Sequence, residues 1–295
     1  MEVAAVAYKA LSVKTKKRVA ALLKLNPSYA NWIIGARKQD EQRVAFMRAA
    51  TWADAIKSDK DYKGDTADLQ TAPTAAQNLG YADHLRHEYW HYVDQPFSPD
   101  GTPLVQAPAP NAATQIALFR SALADASVSD DIKSYDLVWL LHLVGDVHQP
   151  LHCVSRYDKP DPKGDRGGNS VHIVGNVQPP VCEDPRYCPY GPPAVLHAFV
   201  DTIAGSGYGV GPVESAAPKL PKATAAESSV GSEVEWIKEG LELAQSKIYT
   251  GPIGIGDGPF TVDAEYQAAV HELGQARIAL AGARLAKMLN DGLGK

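Results

Sequence analysis

Residues 142–152 read His-Leu-Val-Gly-Asp-Val-His-Gln-Pro-Leu-His, and this run constrains the fold more than any other stretch of the chain. His142 and Asp146 are four residues apart, which on a helix puts them on one face, one turn apart. Pro150 has no N–H and holds Gln149 in an extended conformation, so the helix must stop there. His152 can then turn back towards the same pocket. Imidazole nitrogens and a carboxylate on one wall are the ligand set of a zinc ion.

Helical periodicity dominates the remainder. Residues 3–11, 15–25, 41–56, 75–92, 112–125, 130–148 and 263–289 each read as amphipathic helix, the last with Ala269, Leu273, Ile278, Leu280, Leu285 and Leu289 on a broad apolar stripe. Ser170–Val174 is expected to be a short strand. Between these segments lie loops rich in proline and glycine. Residues 97–111 carry four prolines, and residues 175–193 carry six together with Cys182 and Cys188. No repeat or long linker divides the chain, so the expectation is one mainly α-helical (all-α) domain over residues 1–295, with residues 175–193 as a loop insertion and a site where loops meet helices.

Composition narrows the class. At 295 residues and 45% hydrophobic, the chain can bury a sizeable core. No run of 18 apolar residues exists, so no membrane span is expected, and no signal peptide is visible after Met1-Glu2. The net charge of −5 argues against a generic nucleic-acid coat protein, although residues 1–60 hold twelve Lys and Arg against five Asp and Glu. Three cysteines are too few for a disulfide scaffold. Cys182 and Cys188 can pair in an oxidising compartment, leaving Cys153 as a small buried residue.

A second His/Asp pair repeats the first spacing: His197 and Asp201. Asp54 lies in Trp-Ala-Asp, and His91 in Trp-His-Tyr-Val-Asp. Asp54, His91, His142, Asp146, His152, His197 and Asp201 are too many ligands for one tetrahedral zinc and point to a cluster. His87-Glu88-Tyr89-Trp90-His91 also matches the H-E-x-x-H pattern of metalloproteases. No third ligand follows at the required spacing, since no Glu occurs between Glu88 and Glu183. His87 is then expected at the surface or behind the ligands, as are His84, His148, His172 and His271.

Trp-Ala-Asp, Trp-His-Tyr-Val-Asp, His-x-x-x-Asp-x-x-Gln-Pro-Leu-His, Gly-Gly-Asn and Leu-His-x-x-x-Asp occur here in that order. This series resembles the zinc-dependent single-strand nucleases of the S1/P1 type, which share a fold with bacterial zinc phospholipase C. The closing Ala281-Gly282-Ala-Arg-Leu-Ala-Lys-Met-Leu-Asn290 is similar to that family's last helix, and the match runs over nearly the whole chain.

The resemblance implies three zinc ions. Asp54, His91, His142 and Asp146 would hold the first, and His152, His197 and Asp201 the second. The third would share the bridging Asp146 and take its other ligands from a Trp-Gly-x-x-Gly-His start. This chain instead begins Met-Glu-Val-Ala-Ala-Val-Ala-Tyr, so two sites have their full ligand set. The resemblance further implies that Asp54 orients the attacking water and that Lys57 contacts the phosphate. Tyr92, Asp94 and the Gly167-Gly168-Asn169 loop would hold a nucleobase. The expected function is hydrolysis of single-stranded RNA and DNA to 5′-nucleotides with 3′-nucleotidase activity, by a monomer that is secreted or periplasmic. A phospholipase C-like hydrolase and a non-catalytic zinc- or nucleotide-binding homologue are the alternatives.

Overall fold

The computed structural model describes residues 1–177, 191–205, 207 and 209–294. Cys182, Cys188 and most of the expected 175–193 insertion lie outside the described residues, and so does the pairing expected of those two cysteines. The structure is mainly helical, as expected. Five helices come first: α1 (Glu2–Ala10), α2 (Val13–Leu23), α3 (Tyr29–Trp32), α4 (Glu41–Ala49) and α5 (Trp52–Ala55). After a long irregular stretch follow α6 (Ala112–Ala124) and α7 (Asp130–Asp146). The C-terminal part holds α8 (Leu196–Ile203), α9 (Val210–Ala216), α10 (Ala225–Ser229), α11 (Glu233–Leu243) and α12 (Ala264–Leu293).

Helix α7 is the axis of the molecule. Its residues Leu137–Val144 are apolar on nearly every side, and all but His142 are essentially inaccessible to solvent, as befits a helix surrounded by others. The Ser129 side chain caps its first turn, and Asp130 and Asp131 complement the helix dipole there. It ends at Asp146, four residues before Pro150. Helix α12 packs along α1, and Gly282 permits the close approach: a Cβ there would meet Val6 at 2.5 Å.

Two parallel two-stranded ribbons complete the frame. β1 (Gln95–Phe97) pairs with β2 (Val154–Arg156), with Gln95 opposite Val154. β3 (Ile173–Val174) pairs with β4 (Phe260–Thr261). β3 falls inside the strand expected over 170–174.

Two expected helices are corrected. Residues 75–92 are turns with isolated 3-10 segments at Gly80–Ala82 and Glu88–Trp90. Gly80, His84 and His87 all have positive φ, at 64°, 54° and 47°, and a right-handed helix cannot pass through such residues. The 41–56 helix is broken into α4 and α5. At the break the Thr51 hydroxyl donates to the Arg48 carbonyl, a local bond that competes with helix, and the Ala50 carbonyl accepts from His142 Nδ1.

Candidate metal centre

Buried aromatic residues fix where the candidate ligands sit. Trp52, at the start of α5, packs edge-on against Trp139 of α7 at 5.9 Å and against Tyr135 at 6.0 Å. With Trp52 anchored inwards, Asp54 two residues on faces the other way, and its side chain is 58% exposed. Trp90 is fully buried, lies 5.0 Å from Trp139 and donates its indole N–H to the Ala75 carbonyl. That anchor delivers His91 beside α7.

The first group of side chains forms there. His91 Nδ1 lies 3.0 Å from both His142 Nε2 and Asp146 Oδ2, and His142 Nε2 lies 3.1 Å from Asp146 Oδ2. Asp54 Oδ1 stands 3.7 Å from His142 Nε2 and 3.9 Å from His91 Nδ1. Zinc–nitrogen bonds of about 2.0–2.1 Å in a tetrahedron put neighbouring ligand atoms about 3.3 Å apart. The observed separations of 3.0–3.9 Å bracket that value.

The second group gathers at the other end of the same cleft. His152 Nε2 lies 3.4 Å from Asp201 Oδ1, and His197 Nε2 lies 3.5 Å from Asp201 Oδ2. Asp146 stands between the groups, with its Oδ2 4.0 Å from His152 Nδ1. Among the described residues, Asp54 with His91 and His142, and His152 with His197 and Asp201, are the two groups whose ligand atoms lie close enough to share an ion.

The other nitrogen of each ring decides what the first one offers. His142 Nδ1 donates to the Ala50 carbonyl at 2.8 Å, His152 Nδ1 to the His91 carbonyl at 2.9 Å, and His197 Nδ1 to the Gly167 carbonyl at 2.8 Å. In a neutral imidazole that leaves each Nε2 with its lone pair turned towards a carboxylate oxygen. Acceptors facing acceptors at these distances repel unless a cation or a proton lies between them. Outer-sphere carbonyls of this kind are the usual supports of metal-bound histidines. The donor set therefore fits zinc. His91 differs, since its Nε2 is buried without a hydrogen-bond partner.

Charge tells the same story. Burial alone would lower His152, but Asp146 and Asp201 drive it up to about 9. Burial works in the same direction on His142, and Asp146 and Asp54 outweigh it to raise that ring too. Burial would raise Asp146, yet His142 and His152 hold it well below the usual carboxylate range. Burial prevails at the other two rings, lowering His91 to about 4 and His197 as well.

Both groups open on one cavity of about 410 Å³, which Lys57 also lines. Lys57 Nζ donates to Asp54 Oδ1 at 2.8 Å. Tyr92, Asp94, Gly168 and Asn169 do not line this cavity but stand beside the second group. Val93 N donates to the His152 carbonyl at 2.8 Å, which sets Tyr92 and Asp94 on either side of that bond. Tyr92 is half-buried. Burial, with Asp165 nearby, pushes the Asp94 carboxyl up to about 6. His197 N donates to the Gly168 carbonyl, and exposed Asn169 donates its side-chain N–H to Arg166 O at 2.8 Å.

Two histidines expected at the surface or behind the ligands are deeply buried. His148 is 1% exposed and accepts from Arg284 at 3.0 Å. His87 is 0% exposed, stacks on Trp90 at 3.5 Å and bonds Asp83 and Tyr89. With Glu88–Trp90 in a single 3-10 turn, His87 and His91 share no helix face, and the metalloprotease reading has no structural basis. Sequence reasoning also missed Gln149, whose side-chain N–H donates to Asp201 Oδ1 at 2.8 Å. Its place inside the Gln-Pro-Leu-His motif was the available signal.

A helical scaffold that brings two His/Asp groups to one cleft defines the class: a mainly helical protein with a candidate metal centre. The model of the S1/P1 nuclease family matches residues 1–294, and the chain belongs to that family. The family is one of zinc-dependent nucleases, typically secreted. No curated protein matches the chain. Among the described residues no helix is long and apolar enough to cross a membrane.

Proposed function

We propose that this protein is a zinc-dependent phosphodiesterase that cleaves single-stranded RNA and DNA to 5′-nucleotides and removes 3′-phosphates. The observation that carries the reading is the set of three Nδ1–carbonyl bonds, which aim three Nε2 lone pairs into one cleft. Asp54, His91, His142 and Asp146 would hold one ion, and His152, His197 and Asp201 another. Bound zinc supplies positive charge to the phosphate and makes hydroxide available near neutral pH.

The chain's own groups do the remaining work. Asp54, an exposed carboxylate at the mouth of the first group, accepts a proton from the attacking water and orients it. Lys57, three residues on, neutralises a phosphate oxygen. Tyr92 offers a ring face to one base, a contact worth about 1–3 kcal/mol and tolerant of sequence. Asp94, Gly168 and Asn169 supply polar atoms to the base edge. A base already paired and stacked in a duplex cannot present its face in this way, so single strands are preferred. The protein acts as a single-domain monomer outside the cytoplasm.

The test uses the zinc-loaded protein against single-stranded DNA and RNA, a nucleoside 3′-phosphate and lecithin vesicles. Release of 5′-mononucleotides and of inorganic phosphate supports the reading. Diacylglycerol release would make it a phospholipase C. Stoichiometric zinc without turnover of any substrate would make it a binding homologue.

A further inference from the structure

Arg166 has φ +53°, in the left-handed region, which is strained for a residue with a Cβ. Such strain persists only where the surroundings over-determine it, and it gathers at functional sites. Here the surroundings do so from every side. Asp165 is fully buried, accepting from Arg156 N at 2.9 Å and from the Tyr249 hydroxyl at 2.7 Å. Arg166 N donates to Ser155 Oγ at 3.2 Å, its carbonyl accepts from Asn169, and the next carbonyl holds His197.

The backbone is thus clamped while the side chain is exposed. Glycine or asparagine would sit here with less strain. Its location is informative. Arg166 N is bound to Ser155 of β2, whose ribbon partner Pro96 lies two residues after Asp94. Its charge acts on both Tyr92 and Asp94. Among the described residues no carboxylate forms an ion pair with it. Lys57 stands beside the first ligand group, and Arg166 is joined to the second through Gly167.

Resting on the nuclease reading above, we propose that Arg166 is a substrate-binding residue whose guanidinium takes the phosphate next to the scissile one along a single strand. It would make the site favour oligonucleotides over substrates with one phosphate. The chemistry is a charge-assisted, sequence-independent contact to a phosphodiester, for which arginine's planar fork is suited.

Arg166→Asn and Arg166→Lys test this in the zinc-loaded protein. Asparagine tolerates the left-handed backbone, and an unchanged melting temperature shows that the loop is intact. The substrates are a single-stranded DNA decamer and thymidine 5′-(4-nitrophenyl) phosphate, a diester with one phosphate. For Arg166→Asn, KM for the decamer rises about tenfold with kcat little changed, and the one-phosphate diester is unaffected. The dependence of log KM on log salt becomes shallower by about 0.7, the loss of one single-strand contact. Arg166→Lys retains most of the slope. Unchanged decamer KM and slope, or equal losses on both substrates, would overturn the inference. A wild-type protein that cleaves neither substrate overturns the nuclease reading instead. Arg166 is then judged by decamer binding, and an affinity unaltered by Arg166→Asn sinks it as well.

Discussion

A histidine at a metal site has two nitrogens to place, and this chain spends one of each pair on a backbone carbonyl for His142, His152 and His197. Those carbonyls belong to Ala50, His91 and Gly167, none of which the ligand spacing singles out. His197→Ala should lower bound zinc by one ion per chain, read by mass spectrometry, with the ion at His142 retained; loss of neither or both would break the two-group assignment. Gln149→Ala removes an amide donor from Asp201 and should weaken zinc at the second group about 10–100-fold, the usual effect of removing an outer partner. Competition with a chelator measures it, and unchanged affinity would make Gln149 a helix stop and nothing more. Gly167→Ala is a backbone experiment. Its φ is +61°, and a Cβ would lie 2.2 Å from the Leu151 carbonyl oxygen. At least about 2 kcal/mol should be lost, or roughly 3 °C in melting temperature for a chain of this size. The seven candidate ligands could be listed from the sequence because ligand chemistry demands particular side chains. The carbonyls that aim them could not, because every residue carries one.

Helix α7 was legible because it is long, apolar and bounded by Ser129 and Pro150. The 75–92 segment was not, because its apolar residues recur at helical spacing while its backbone turns left-handed three times. Tertiary contacts stabilise that path. His87 bridges Asp68, Asp83 and Tyr89, with its own N–H donated to Asp68, and Trp90 stacks on its ring. Burial alone would lower the His87 pKa, but its bonds to Asp68 and Asp83 and their charges outweigh that and raise it. A group raised in the folded state contributes its full stability below the unfolded histidine value of about 6.5 and loses it as pH rises through the folded value. The melting temperature should therefore fall on the alkaline side of neutrality. His87→Asn, which keeps a left-handed-tolerant residue, should be less stable at pH 6 and flatten this dependence. Parallel profiles for the two proteins would mean that the ring stays neutral.

At the scale of the molecule, the mainly helical class was legible, and so was the family, because five ordered motifs spread over the chain are harder to match by chance than any one. The clustering itself was less so: ligands from residues 54 to 201 meet only once α5, α7 and α8 have packed. Metal bound at such a place stabilises everything that holds it. Zinc at a hundred times its dissociation constant adds about 2.7 kcal/mol per site, which for a chain of this size is roughly 4 °C. Stripping the protein with a chelator should lower its melting temperature by at least that much, and readdition of zinc should restore it. A melting temperature within one degree of the loaded protein would mean that the cleft is not a metal centre.

The bond from His152 Nδ1 to the His91 carbonyl joins a ligand of one group to the main chain of a ligand of the other. Zinc at either place, as proposed above, would restrain the same peptide unit, so the two sites would be thermodynamically linked. Whatever factor the first contributes to the affinity of the second, the second must return to the first. Loading one site should then shift the affinity of the other by a measurable factor without abolishing it, so a variant that has lost one ion should bind the remaining one with altered affinity.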